Sequence, residues 1–213
     1  RLRAFPVGPP QQRMRFVVGS CRYPGSIVDN ALSDQVYAAI FEHTSSAEGV
    51  QLLFLIGDQI YADATDQLFD LKSPKSRYTD RYRLAFSREG SPNFARLVAQ
   101  VPTHFALDDH EIDDNWSALP PPSTRRQQEY ADRKREYEYA VDTAARFMSS
   151  VRNQVPILRP LSGSPFYYAL AHPEECDFPT FVANTRTERD FRGSNNPTVF
   201  NLISDDQYDA LTG

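Results

Sequence analysis

A chain of 213 residues, 24% of them charged and 40% hydrophobic, can close a sizeable core and has the balance of an ordinary soluble globular domain. Its formal charge of −5 at pH 7 argues against general nucleic-acid affinity, and no apolar run approaches the roughly 18 residues of a membrane span. Two cysteines, Cys21 and Cys176, are too few for a disulfide framework, although a single bridge between them stays open and would remove Cys21 as a ligand.

Residues 1–12 read as a lead-in, basic and then Pro-rich, and residues 13–213 as one domain. The opening Arg1 is no initiator, so the lack of a targeting segment carries no information. The first predicted strand is Met14–Ser20, MRFVVGS, ending at Cys21. A helix follows from Asp29 or Asn30 to about Ser45, with Ala31, Val36, Ala39, Ile40 and His43 at helical spacing. Leu52–Ile56 is a buried strand, and Gly57 releases the backbone into a tight turn before Asp58 and Tyr61. This makes a β-α-β unit with a right-handed crossover.

Pro74 opens a helix over Lys75–Phe86, with Tyr78, Tyr82 and Phe86 on one face. Asn93–Gln100 is another, with Ser91 as N-cap and Pro92 in the first turn. A strand at Thr103–Leu107 leads into DDHEIDDNW. After the Pro120-Pro121-Pro122 break comes a long helix, Thr124–Arg152, whose charged run reads as a solvated face. Phe166–Leu170 and Phe178–Ala183 are two further strands, a possible long-looped hairpin, the second ending at Asn184-Thr185-Arg186. Asp205–Leu211 begins a last helix.

Four strands thus deliver polar side chains at the same end. If they are parallel neighbours, thiolate, carboxylate, phenolate, imidazole and amide converge in a plausible transition-metal site, at the sheet edge where open α/β folds build sites. Cys21 is either a small buried hydrophobe or, beside Arg22, a thiolate. Asp58 is the best ligand, since a carboxylate can bridge two cations. Tyr61 is either a packed aromatic or a phenolate ligand to a strongly acidic metal. The five carboxylates of DDHEIDDNW are costly together unless cations or solvent offset their repulsion. His110 within it is a ligand, or a donor to a phosphoryl oxygen or a leaving group. Trp116 reads as packing, and His43, His104 and His172 as structural. A thiol enzyme pairing Cys21 with His110 is a weaker reading, because no histidine lies near Cys21 in sequence.

GSC after the first strand, GDQIYAD after the second, FALDDHEIDDNW after the third and NTRTER after the fourth resemble the PhoD-type alkaline phosphatase/phosphodiesterases of the calcineurin-like metallophosphoesterase superfamily. The resemblance runs from Met14 to Gly213, and YTDRYRLAF shares in it. It implies an α/β fold, a four-layer α-β-β-α sandwich. It implies ferric iron held by Cys21, Asp58 and Tyr61, with Asp58 bridging to calcium near Asp109 and Asn115. His110 would assist at the phosphoryl group, and Arg186 or Arg189 would steady phosphate. The implied reaction is in-line hydrolysis of phosphate mono- or diesters by metal-activated water or an oxide-like nucleophile. The resemblance favours a secreted or cell-envelope location.

Two departures stand out. Asn184 occupies a position where the family carries Asp, and Asn supplies no charge. The family's later Gly-Asp-x-His-type segment is missing, so the chain looks like the front half of a catalytic domain, the other half lying in the same or another chain. These departures motivate the alternative of a non-catalytic relative that binds phosphorylated ligands.

Overall fold

A computed structural model of the chain describes residues 15–22, 30–44, 49–63, 74–119, 127–152, 166–169, 180–190 and 201–212. The lead-in, the Pro120–Pro122 break, His172 and Cys176 lie outside them.

Three short strands form a parallel sheet in the order β1-β2-β3: β1 (Phe16–Gly19), β2 (Leu52–Leu55) and β3 (Thr103–Phe105). Val17 pairs with Leu53, and Leu53 in turn with Thr103. Helix α1 (Asn30–Glu42) connects β1 to β2, the expected β-α-β unit, and ends three residues short of Ser45. Helices α2 (Pro74–Phe86) and α3 (Pro92–Val98) connect β2 to β3.

Alternation along β2 sorts the two faces of the sheet. Leu53 and Leu55 point into the main core beneath the helices, while Phe54 points the other way. There Phe54 and Ala106 pack on Tyr168 and Val182, from β4 (Tyr168–Ala169) and β5 (Phe181–Val182). The condition of four parallel neighbours is not met, and the hairpin left open by the sequence is what forms. The fourth predicted strand, β5, pairs antiparallel with β4 in a separate two-stranded sheet. It still delivers Asn184–Arg186 beside the third strand's end, because the two sheets pack face to face. The small sheet leaves Phe16, Val18 and Ile56 about half exposed.

Long helix α4 (Gln127–Arg152) presents Ala140, Ala144 and Met148 to the core. Its charged run is solvated, with pairs such as Lys134–Glu138 and Arg146–Asp142 along the surface. Trp116 packs as expected, buried and stacked on Tyr137 at 5.2 Å. His104 is buried in β3 and contacts the Tyr168 hydroxyl at 3.4 Å.

Ser91 does not cap α3 with its side chain. Its Oγ accepts from Arg22 Nη2 and donates to the Leu84 carbonyl. The cap comes from α1: the Asp34 carboxylate accepts the backbone N–H groups of Asn93 and Phe94 at 2.8 and 3.0 Å. A carboxylate can satisfy two orphan donors and favours the positive end of the helix dipole. Arg22, buried over the Phe94 ring at 4.1 Å, also donates to the Ala85 carbonyl. The residue after Cys21 is thereby anchored on α2 and α3.

Tyr78 and Tyr82 of α2 are both buried, as their spacing predicts, but differ in satisfaction. The Tyr78 hydroxyl donates to the Ile112 carbonyl at 2.8 Å. The Tyr82 hydroxyl has no partner among the described residues, although its ring stacks on Phe147 at 5.0 Å. Tyr78→Phe should therefore cost about 1 kcal/mol of stability and Tyr82→Phe nothing or less than nothing, by urea unfolding. Burial pushes the Tyr78 pKa up to about 12 and the Tyr82 pKa well above its ordinary value. Both folded values lie above the unfolded one near 10. Their contribution is whole below pH ~10 and is lost as pH climbs toward ~12, because the unfolded chain releases these protons first. The urea midpoint should fall over that window, and fall less in the double Phe variant.

Candidate functional site

The ladder between β1 and β2 continues past both strands. Cys21 N–H donates to the Gly57 carbonyl at 3.3 Å and Arg22 N–H to the Asp58 carbonyl at 2.9 Å. That sets Cys21 beside Asp58, and its Sγ donates to Asp58 Oδ2 at 3.2 Å. Cys21 is an exposed free cysteine, neither a buried small hydrophobe nor half of a disulfide.

The backbone here is strained. Among the described residues, the non-glycine residues with positive φ are Cys21 (53°), Asp58 (55°), Asn115 (55°) and Ala118 (116°). Three of these four were singled out in the sequence as ligands. Left-handed backbone at such residues costs on the order of 1–3 kcal/mol each and gathers at functional sites. Gly57, at φ 117°, is required twice over, since a Cβ there would also overlap the Asp108 side chain. That close approach brings the loop after β2 against the loop after β3.

Asp58, Asp108 and Asp109 each bring a carboxylate oxygen to within 4.8 Å of the others. Asp58 is buried, and its Oδ1 has no partner among the described residues. Burial raises its pKa, the Cys21 hydrogen bond opposes this, and Asp108 adds to the rise. Tyr61 is also buried. Burial, then the charges of Asp58 and Cys21, raise the pKa of its phenol, which hydrogen-bonds Cys21. Its ring lies 4.3 Å from that of His110. Asn115 is exposed, and its backbone N–H donates to Asp109 Oδ2 at 2.8 Å, tying the end of the acidic loop to its start.

His110 Nδ1 meets Asp63 Oδ2 at 2.8 Å, and Asp114 lies 3.9 Å from Nε2. Burial works against the imidazolium, but the hydrogen bond and charge of Asp63, with Asp58 and Asp109, outweigh it and raise the pKa. Cys21 and His110 thus bond different carboxylates, which removes the motive for a thiol–imidazole pair.

Arg186 joins the acidic cluster, where it is ion-paired through Nε to Asp108 and through Nη2 to Asp109 at 3.3 Å, and donates to the Trp116 carbonyl. In this arrangement it neutralises two candidate ligands. Arg189 also reaches the Trp116 carbonyl, at 3.5 Å.

Asn184 shapes the turn that follows β5. It is fully buried, its Oδ1 accepts from the N–H groups of Arg186 and Thr187 at 3.1 Å each, and its Nδ2 donates to Thr187 Oγ1. Gln207, from helix α5 (Asp205–Thr212), pairs with both backbone groups of Asn184 and pins the turn. The amide's donor is in use, and Asn fills this buried turn without a charge to desolvate.

Two residues of the site escaped the sequence. Asp63 lies five positions beyond Asp58, with no spacing to flag it. Glu111 sits inside DDHE, where carboxylate density hides which carboxylate turns inward.

Comparison with known proteins bears on this arrangement. The family model described as PhoD-like phosphatase matches residues 16–148. A solved structure titled "Structure of PhoD" aligns with a TM-score of 0.52 at 18% identity, over 88% of this chain and 34% of that one. That likeness shows a shared fold, and this chain spans about a third of that protein's length. No curated protein matches. With the family model covering more than half of the chain, including every strand of the parallel sheet, this chain belongs to the PhoD-like phosphatase family.

Proposed function

We propose that the chain forms the front part of a metal-dependent phosphoesterase domain that hydrolyses phosphate mono- or diesters. The observation that carries this is Asp58: a buried carboxylate on strained backbone, one oxygen unpartnered, where two further carboxylates and a thiol meet. Leaving such an oxygen unpaired in a buried place is costly, and a cation is the partner that fits it.

The donors fall into two sets that share Asp58. Cys21, Asp58 and Tyr61 suit ferric iron, and Asp58 with Asp109 and Asn115 suits calcium, which takes oxygen ligands. Bound cations would neutralise phosphoryl charge and activate water. The chain's own work is then positional. The turn at Gly57 and the strained Asp58 hold the carboxylate between the two donor groups. His110, oriented through Nδ1 by Asp63, keeps Nε2 to give a proton to the leaving oxygen. Arg186 would move from Asp108 and Asp109 to a phosphoryl oxygen once cations take over those carboxylates.

The four-layer sandwich belongs to this proposal. The half-exposed Phe16, Val18 and Ile56, on the sheet face that β4 and β5 partly cover, support a larger second sheet there. The length of the PhoD relative supports further ligands from additional chain.

The test is metal content per chain by elemental mass spectrometry on the full-length protein, with hydrolysis of p-nitrophenyl phosphate and bis-p-nitrophenyl phosphate before and after chelation. Near-stoichiometric iron, with activity lost on chelation and restored by metal, is expected. Activity indifferent to chelation, or none with metal restored, would sink the proposal.

A further inference from the structure

Glu111 is the one acidic side chain of DDHEIDDNW that is completely buried, and its carboxylate faces backbone rather than the ligand cluster. Oε2 accepts from Asp58 N–H at 3.1 Å and from Asp108 N–H at 2.9 Å. Oε1 accepts from Gln59 N–H and from Ile60 N–H at 3.4 Å. One carboxylate thus collects three consecutive donors from the loop after β2 and one from the loop after β3, and a single oxygen bridges the two loops.

Those loops carry Asp58 on one side and Asp108 and Asp109 on the other. Their relative position decides whether three carboxylate oxygens converge. Asp58 is held at φ 55°, a conformation its own side chain does not enforce, whereas N–H donors at positions 58, 59 and 60 aimed at one acceptor do. The acceptor must be a carboxylate. Four N–H groups need two oxygens with lone pairs and no proton of their own.

We infer that Glu111 is a positioning residue: its carboxylate fixes the two ligand-bearing loops in the register that makes a cation site. This rests on the metal-site proposal for Asp58, but the clamp itself exists without metal and can be read without it.

Glu111→Gln keeps volume and removes the charge, yet sets an amide N–H₂ against two backbone N–H groups whichever way it turns. The β2–β3 pairing and the Ala62 N–H bond to the His110 carbonyl, at 3.0 Å, remain to hold the fold. In the metal-free full chain, amide exchange at Gln59, Ile60 and Asp108, followed by NMR, should quicken about tenfold or more. Exchange in α4 should not change. Mn²⁺ titrated calorimetrically should then bind roughly 10–100-fold more weakly, as when an outer partner of a metal ligand is removed. Leu97→Ala, in the core of α3, lowers stability without removing a hydrogen bond from either loop and should leave the Mn²⁺ affinity alone. Should Glu111→Gln fail to fold, Glu111→Asp keeps the charge but is a methylene too short to span both loops, and should release the amides of one.

Unchanged protection of both loops in either variant would overturn the inference, as would an equal loss of Mn²⁺ affinity in Leu97→Ala. Released amides in Glu111→Gln, with a wild-type chain that binds no Mn²⁺, would uphold the clamp and fail the metal proposal instead.

Discussion

Asp58→Asn should lower kcat/KM for phosphate-ester hydrolysis by about 10³-fold or more and strip the protein of metal, while leaving the metal-free chain as stable as wild type or more so. The first half follows from position. Removing an outer partner of a ligand typically costs 10–100-fold, and Asp58 is proposed to touch the cations directly. The second half has the opposite sign from an ordinary core mutation. Without metal, Asp58 is a buried carboxylate whose pKa is raised by desolvation, with one oxygen unpartnered. The isosteric amide carries no charge to desolvate, and its oxygen still accepts from Cys21 Sγ. Melting temperatures with and without added Mn²⁺ separate the two contributions: wild type should gain from the ion by mass action and the variant should not. A variant that keeps wild-type metal content and activity would remove Asp58 from the centre.

What the sequence made legible, and what it hid, divides along physical lines. The central strand of the parallel sheet could be read because burial on both faces forces a continuous apolar run, as at Leu52–Leu55. The Tyr78/Tyr82 face of α2 could be read because helical periodicity is local. Strand partnership was another matter. The sequence left Phe181–Val182 open between a hairpin with Tyr168–Ala169 and a place in the first sheet, because partner choice is set by chain twelve or more residues away. Capping misled for a related reason. Ser91 has the right identity and place for a cap, yet buried Arg22 claims its hydroxyl and Asp34 of another helix supplies the oxygens.

The site divides in the same way. Cys21, Asp58 and Tyr61 converge because each follows a strand or its turn, which sequence can mark. The direction of each carboxylate in DDHEIDDNW is fixed only when the Gly57 turn meets Asp108, and so the inward Glu111 and the Asp63 partner of His110 emerged from the fold alone.

The Asp63–His110 pair supplies the other large expected effect. His110→Ala should lower kcat by about 10²–10⁴-fold, the range of a positioned proton donor. Asp63→Ala should cost less, since an unanchored imidazole still samples the productive orientation. The double variant should be no worse than His110→Ala, because Asp63 reaches the reaction only through the 2.8 Å contact with Nδ1. Full additivity would give Asp63 a separate task, with Oδ1, which has no partner among the described residues, as the atom to suspect. The choice of substrate distinguishes proton donation from simple support of the phosphoryl group. p-Nitrophenolate departs without a proton, whereas an alkoxide needs one. Loss of Nε2 should therefore slow an alkyl phosphate at least tenfold more than p-nitrophenyl phosphate. Equal losses on the two would mean that His110 holds phosphoryl oxygens, and that the proton for the leaving group comes from elsewhere.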